Sequence, residues 1–323
     1  LVGSEMCIRD RLRCDCGSRR RYSGTYRKCI SIQRLDMNIN YIDFSNTTRF
    51  HDDGDVPYIT FRKFDGLDFI KHGFSTRLGG VSKGIYESMD LTFTRGDDPD
   101  AVRENFRLIG RALDIRPEDM VYAMQTHTTN VIEATKAERG MGVIKDRCFS
   151  DIDGFVTNTP GVALVTTYAD CVPIFLADPV KRAIGLSHSG WRGTVNNIAD
   201  VTVKKMTSLY GSNPADIIAF VGPSICRNCY EIGSDVADVF AARYGEKVFD
   251  GILYPAAPDR PFDGKFRLDL HRANVVNLLA AGLLEENIGV TDICTCCNPG
   301  LLFSHRASTV SYTHLTLPTN SLV

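Results

Sequence analysis

Thr167-Tyr-Ala-Asp170-Cys171-Val-Pro-Ile-Phe-Leu-Ala-Asp178-Pro179-Val-Lys-Arg-Ala183-Ile-Gly-Leu-Ser-His188-Ser-Gly190-Trp-Arg192-Gly-Thr194 is the stretch on which the fold turns. Residues 172–177 and 183–186 are apolar runs of strand length, separated by the turn-like set Asp178-Pro179-Val180-Lys181. Paired as an antiparallel hairpin around those four residues, they oppose Leu176 to Ala183 and Cys171 to His188. Directly opposed side chains project to one face, about 4.5–5.5 Å apart at Cβ. A thiol and an imidazole then share one end of the hairpin. That arrangement suits either a common metal or a Cys–His catalytic pair.

Working outward, residues 162–167 read as a buried strand delivering Ala169-Asp170-Cys171, with Asp151-Ile-Asp-Gly154 as a turn before it. On the other side, Ser189-Gly-Trp-Arg-Gly193 leads into an amphipathic helix over 194–210, with Val195, Ile198, Ala199, Met206 and Leu209 on one face. A strand, a Gly-bracketed turn and a helix N-terminus together favour an anion. Arg192 adds a bidentate donor suited to phosphate, although a solvated turn arginine fits the spacing equally well.

Farther out, strands are expected over 58–61, 67–73, 121–124, 131–134, 217–221 and 266–270, with a last one opening at 293–295. Helices are expected from Asp98-Pro99-Asp100 to about residue 113, over 236–244 and over 272–281. The loop Phe74-Ser-Thr-Arg77-Leu-Gly-Gly-Val-Ser82 is rich in Gly and hydroxyls around a central Arg, the composition of an anion cradle and equally of a surface turn. His127 falls at a strand end in Gln125-Thr-His127. The alternation of strand and helix lengths without a linker predicts one α/β domain, with mixed β-sheets flanked by helices.

The composition, 43% hydrophobic and 24% charged, is that of an ordinary globular protein. No apolar run reaches the ~18 residues of a membrane span, and a net charge of −2 lacks the basic excess of a general nucleic-acid binder. Neither nucleic acid nor membrane is expected as a partner, and a cytoplasmic location is expected. Residues 1–36 differ from the rest, with nine Lys/Arg against four Asp/Glu and little apolar periodicity. Both this segment and 309–323 resemble translated sequencing-adaptor read-through. The expected genuine start is therefore Met37, the expected domain 37–308, and the native C-terminus is expected to be lost near Ser308.

Eleven cysteines, an odd number, in a long chain without an apolar leader point to free thiols in a reducing compartment. Cys226-Arg-Asn-Cys229 has CxxC spacing, and Cys294, Cys296 and Cys297 cluster downstream. A closed Cys₄ zinc site usually pairs two well-spaced CxxC units. The sequence therefore favours these thiols as small buried hydrophobes.

Gln125-Thr-His127, Ala169-Asp-Cys171, His188-Ser-Gly-Trp-Arg-Gly193, Gly222-Pro-Ser-Ile225 with Cys229-Tyr-Glu-Ile-Gly233, and Leu268-Asp-Leu270 together resemble the YfiH-like, laccase-domain family of purine nucleoside phosphorylases, formerly called polyphenol oxidases. The likeness runs from about Leu67 to Arg306. Asp90-Leu91 stands where that family usually shows Asn-Leu, and the pattern stops after Arg306. The resemblance implies a layered α-β-β-α fold. It also implies a zinc ion on His127, Cys171 and His188, and phosphorolysis of adenosine, inosine and methylthioadenosine with adenosine deamination as a second activity. Purine nucleoside and inorganic phosphate are then the partners. Arg77 and Arg192 are the candidate phosphate donors, and Asp170 is a candidate acid/base or a support for a metal ligand.

Two rivals remain. A cysteine hydrolase would use Cys171 as nucleophile and His188 as base; it has no need of His127, whereas a metal does. A copper polyphenol oxidase is the other, since a His₂Cys set suits copper when a weak axial ligand is present. Apart from the trio, the chain offers only His51, His72, His271, His305 and His314, too few for a four-copper centre. The cytidine-deaminase pattern is disfavoured because no His-x-Glu accompanies the CxxC.

Overall fold

The hairpin lies at the centre of a six-stranded mixed sheet. Its strands are Val131–Glu133 (β1), Gly154–Thr157 (β2), Val172–Asp178 (β3), Ala183–Ser189 (β4), Ile218–Val221 (β5) and Ile288–Val290 (β6). They stand in the order β6-β5-β3-β4-β2-β1, with β1/β2 and β5/β6 parallel and the other pairs antiparallel. This computed structural model describes residues 39–308 apart from Phe44 and 257–263. The expectations for 1–36, 309–323, Met37 and His314 lie outside the described residues.

All seven residues of β3 are buried, so the strand must satisfy an apolar environment on both faces. Val172, Ile174 and Leu176 join the core beneath the helices, together with Ile198, Val203, Met206, Phe240, Ala273 and Leu278. The helices on this side are Trp191–Val195 (α2), Ile198–Tyr210 (α3), Ser234–Tyr244 (α4) and Leu270–Ala280 (α5). Gly185 admits α3 closely, because a Cβ there would stand 3.1 Å from Thr202 and 3.2 Å from Met206.

On the opposite face Phe61 stacks 4.2 Å from Phe220 and meets Phe175 edge-on at 4.7 Å. Such pairs add about 0.5–1.5 kcal/mol beyond the area they bury. Phe61 ends the strand Tyr58–Phe61, the middle member of a three-stranded sheet with Thr48–His51 and Phe74–Ser75. A parallel pair, Met120–Tyr122 with Ala163–Val165, packs against the outer helix Pro99–Leu113 through Phe106, Ile109 and Val102. Asp98 caps that helix by accepting from Asp100 N. The layers thus run helix, sheet, sheet, helix, in one mixed α/β domain.

Several local expectations need correction. The hairpin register is displaced by two residues: His188 opposes Pro173, and Asp178 opposes Ala183. Asp178 accepts from the N–H groups of Val180 and Lys181 at 2.8 and 3.0 Å, so it closes the strand and the turn occupies 179–182. A two-residue displacement preserves the face of every side chain. Cys171 therefore sits just before β3 and on the His188 side, though not directly opposite.

The helix expected over 194–210 is two helices, broken at Asn197, whose φ of 63° is left-handed and whose side chain accepts from Asp200 N. The region 67–72 is a turn and irregular chain, Gly73 makes a single bridge, and the strand itself begins at Phe74. Gly154, expected within a turn, opens β2. At 293–294 there are isolated bridges, Ile293 with Tyr41 and Cys294 with Ser224; the last strand lies earlier, at Ile288–Val290.

Candidate metal centre

Three loops meet at the end of β3 and β4. One carries His127 after the strand Met120–Tyr122, one carries Cys171 into β3, and one leaves β4 through His188 and Gly190 into α2. A ligand nitrogen of each histidine and Cys171 Sγ all lie within 4.8 Å of one another. His127 Nε2 is 3.9 Å from Cys171 Sγ, and the two imidazole rings meet edge-to-face with centroids 4.8 Å apart.

The organiser of this cluster is Asp153, fully buried at the start of the β2 segment. Its carboxylate accepts from three successive backbone N–H groups, Thr126 at 3.1 Å, His127 at 3.0 Å and Thr128 at 2.8 Å, and from Thr128 Oγ1 at 2.8 Å. His188 Nδ1 donates to Asp153 Oδ1 at 2.7 Å. That bond fixes the tautomer and leaves Nε2 as the basic nitrogen facing the cluster. One carboxylate thus sets the His127 loop and the His188 ring together.

Asp153 is hidden in the sequence because Asp151-Ile-Asp-Gly154 carries turn chemistry. Its signal was a second acid next to an apolar pair, Phe155-Val156.

His127 and Asp170 hold left-handed backbone angles, φ 66° and 85°. Such angles are uncommon for non-glycine residues and persist where surrounding contacts determine them. Gly190 lets the loops close: a Cβ there would lie 2.8 Å from His127 Cδ2 and 3.0 Å from Cys171 Sγ.

The charges are tightly linked. Burial alone would raise the Cys171 thiol, but His188 and His127 beside it bring it down to about 6. Burial would lower His188, yet the Cys171 thiolate and the Asp153 carboxylate lift it to about 9. Burial would also raise Asp153, and its bonds with His188 and Thr128 hold it at about 2 instead. The cluster favours a thiolate, the form that ligates metals. Two imidazole nitrogens and a thiolate, from two loops and the end of β4, with one side open to a cavity, match a three-ligand catalytic metal set.

That cavity measures about 510 Å³ and contains the trio in its wall, a size suited to a small organic ligand. Arg95, Arg147, Arg192 and Arg306 line it, against a single carboxylate among the described residues, Asp170. Arg192 is exposed, with its guanidinium 4.4 Å over the Trp191 ring. Met124, Ile225, Tyr230 and Leu270 supply apolar wall.

Asp170 lines the cavity, but both its oxygens are engaged: Thr295 Oγ1 donates to one at 2.6 Å and Arg306 N to the other at 2.7 Å. Those bonds make it a support for the loop bearing Cys171 and occupy one acceptor position on each oxygen.

Arg77 corrects another expectation. It is not among the cavity residues. Its Nε and Nη2 donate to Glu87 O at 3.0 and 2.8 Å, its Nη1 to Pro299 O at 2.9 Å, and its guanidinium lies 4.7 Å over Phe303. Those contacts pin the 74–82 loop to the C-terminal segment and commit three of the five guanidinium N–H donors away from the cavity. His51, His72 and His271 are likewise committed elsewhere, to Thr60 Oγ1, Phe61 N and Ser224 Oγ.

A family model described as "Multi-copper polyphenol oxidoreductase laccase" matches residues 71–314. "Purine nucleoside phosphorylase YlmD" of Bacillus subtilis is 36% identical over 235 residues, 72% of this chain and 82% of that protein. "Adenosine deaminase RL5" from an unknown prokaryotic organism is 32% identical over 251 residues, 76% of this chain and 93% of that protein. Among solved structures, the Bacillus licheniformis hypothetical protein YfiH superposes with a TM-score of 0.76 at 29% identity, covering 86% of this chain and 98% of that one.

Proposed function

The chain belongs to the multi-copper polyphenol oxidoreductase laccase family and is an enzyme, and from that premise we propose that it is a zinc-dependent purine nucleoside phosphorylase. Its expected substrates are adenosine, inosine and methylthioadenosine with inorganic phosphate, and adenosine deamination is a second activity. The names of the B. subtilis and RL5 relatives support the reaction class. The observation that carries the metal reading is the place of His127 beside both Cys171 and His188. A Cys–His hydrolase would leave that histidine without a task, whereas a metal uses it.

His127, Cys171 and His188 would hold the ion; when bound, zinc with an open position supplies Lewis-acid chemistry to a substrate oxygen. The chain's own groups do the rest. Asp153 keeps the proton on His188 Nδ1 and the His127 loop in register. The cavity arginines, Arg192 foremost, offer charge-assisted donors to phosphate. The apolar wall of Met124, Ile225, Tyr230 and Leu270 suits the faces of a purine.

In phosphorolysis the bond between the ribose C1′ and the purine nitrogen breaks. Its electron pair leaves with the base, which takes up a proton, and a phosphate oxygen forms the new bond to C1′. Positioned cations beside the incoming anion stabilise such a step. Copper is the alternative metal, suggested by the family description and by a His₂Cys set, which suits copper when a weak axial ligand is present.

Metal content tests this reading. His127→Ala is expected to lower bound zinc by one equivalent per chain and to abolish turnover. A His127→Ala protein with unchanged metal and turnover would leave the Cys171/His188 hydrolase as the better account.

A further inference from the structure

The two halves of a second sulfur site lie far apart in the chain. Cys226-Arg-Asn-Cys229 follows β5, and Cys294-Thr-Cys-Cys297 follows β6; read by its first and last members, the second is also a CxxC unit. The parallel β5/β6 pairing brings the two units together, with Ser224 bridged to Cys294. The sulfurs of Cys226, Cys229, Cys294 and Cys297 all lie within 4.8 Å of one another. Cys229 Sγ and Cys297 Sγ are 3.4 Å apart, and all four are free thiols.

We propose that these four cysteines bind a structural zinc ion, separate from the His127–Cys171–His188 centre. A tetrahedral ion with Zn–S of about 2.3 Å places its sulfurs roughly 3.8 Å apart. The cluster's spacing brackets that value, while a disulfide requires about 2.05 Å. Thiols acting only as small hydrophobes have no reason to converge four at a time.

The backbone supports sulfur as an acceptor: Cys226 N and Cys297 N both donate to Cys294 Sγ, at 3.2 and 3.4 Å. Such N–H donors offset the charge of a bound thiolate. Cys226 and Cys294 are buried and Cys229 and Cys297 half-buried. That is the closed arrangement of a structural site, with a route for the ion at its outer edge. Soft thiolates select zinc over magnesium or calcium. Binding exchanges four S–H protons for four Zn–S bonds, with no change of oxidation state.

The site also explains how the cavity wall is held. Thr295, inside the second CxxC unit, donates to Asp170, and Ile225, just before the first, donates from its N–H to the Asp170 carbonyl at 3.1 Å. A zinc clamp on both units therefore fixes the residue next to Cys171 from two directions.

The test uses the full chain purified under reductant with zinc supplied. Wild type is expected to contain about two zinc ions per chain, and Cys229→Ser with Cys297→Ser about one. These two positions are half-buried, so the double variant spares the buried sulfurs. In the same wild-type protein loaded with cobalt(II), the sulfur-to-cobalt charge-transfer band should have the intensity of five Co–S bonds, four from this site and one from Cys171. One zinc per chain in wild type, lost in His127→Ala, would overturn the proposal. So would a cobalt spectrum of a single Co–S bond, or a native mass two hydrogens light with no second metal. None of these readouts depends on nucleoside turnover, so the proposal fails or stands apart from the phosphorylase reading.

Discussion

Asp153 and His188 form a buried pair in which Nδ1 donates to Oδ1 at 2.7 Å, while the same carboxylate gathers the N–H groups of Thr126, His127 and Thr128. The residue that joins the two histidines is therefore not itself in the candidate ligand set. Removing a carboxylate that orients a ligating histidine typically weakens metal binding ten- to a hundred-fold. Asp153→Asn presents an N–H₂ where an acceptor is required, so its zinc affinity should fall by at least that factor. Competition against a chromophoric chelator measures it, and wild-type affinity in the variant would remove Asp153 from this role.

Gly190 tests the close approach of the three loops. Its φ of −65° and ψ of 175° suit any residue, so Gly190→Ala adds only the Cβ, within 3.0 Å of Cys171 Sγ. The expected result is a folded protein, by circular dichroism, that has lost one zinc equivalent and most of its turnover. Normal metal content in Gly190→Ala would mean that the loops have slack this structure does not show.

Two arginines separate anion binding from architecture. Arg192→Ala deletes a charge-assisted donor worth roughly 1.5–3 kcal/mol, about ten- to over a hundred-fold. It should raise the KM for phosphate by that factor with zinc retained. Arg77→Ala loses three hydrogen bonds to Glu87 and Pro299 carbonyls. It should melt earlier and leave the phosphate KM near that of wild type. The opposite assignment of the two effects would return Arg77 to the phosphate site.

Asp90 predicts a pH-dependent weakness. It is fully buried and its Oδ2 has no hydrogen-bond partner among the described residues. Burial, with Asp97 nearby, raises its carboxyl from the usual 3.8 to about 7. An acid raised on folding binds more protons in the native state than in the unfolded one. Stability from this group is therefore lost as pH climbs from about 4 to 7, with a ceiling on the order of 4 kcal/mol. Asp90→Asn abolishes the titration, so its gain in Tm over wild type should be small near pH 4 and largest above pH 7. A gain independent of pH would contradict this account.

How much of this was legible in the chain depended on the kind of signal. The hairpin was readable because uninterrupted apolar runs flank a Pro-containing turn. Its register was missed by two residues because Asp178 caps the turn from inside the strand. Parity survived, and with it the shared face of Cys171 and His188. The break at Asn197 was hidden because apolar periodicity continues across it, and only the left-handed angle ends α2. Asp153 and Gly190 were hidden for a different reason. Asp and Gly near a turn look alike whether they merely turn the chain or organise a site. The second CxxC unit was obscured by Cys296, which breaks the visual spacing of Cys294 and Cys297. Arg77 looked like an anion ligand because its partners, Glu87 O and Pro299 O, are backbone groups that no sequence pattern announces.

The reaction itself is tested most directly with inosine, in the presence and absence of inorganic phosphate. Hypoxanthine and ribose 1-phosphate are expected to form together only when phosphate is present. Hypoxanthine released at the same rate without phosphate, accompanied by free ribose, would establish hydrolysis and contradict the phosphorylase assignment.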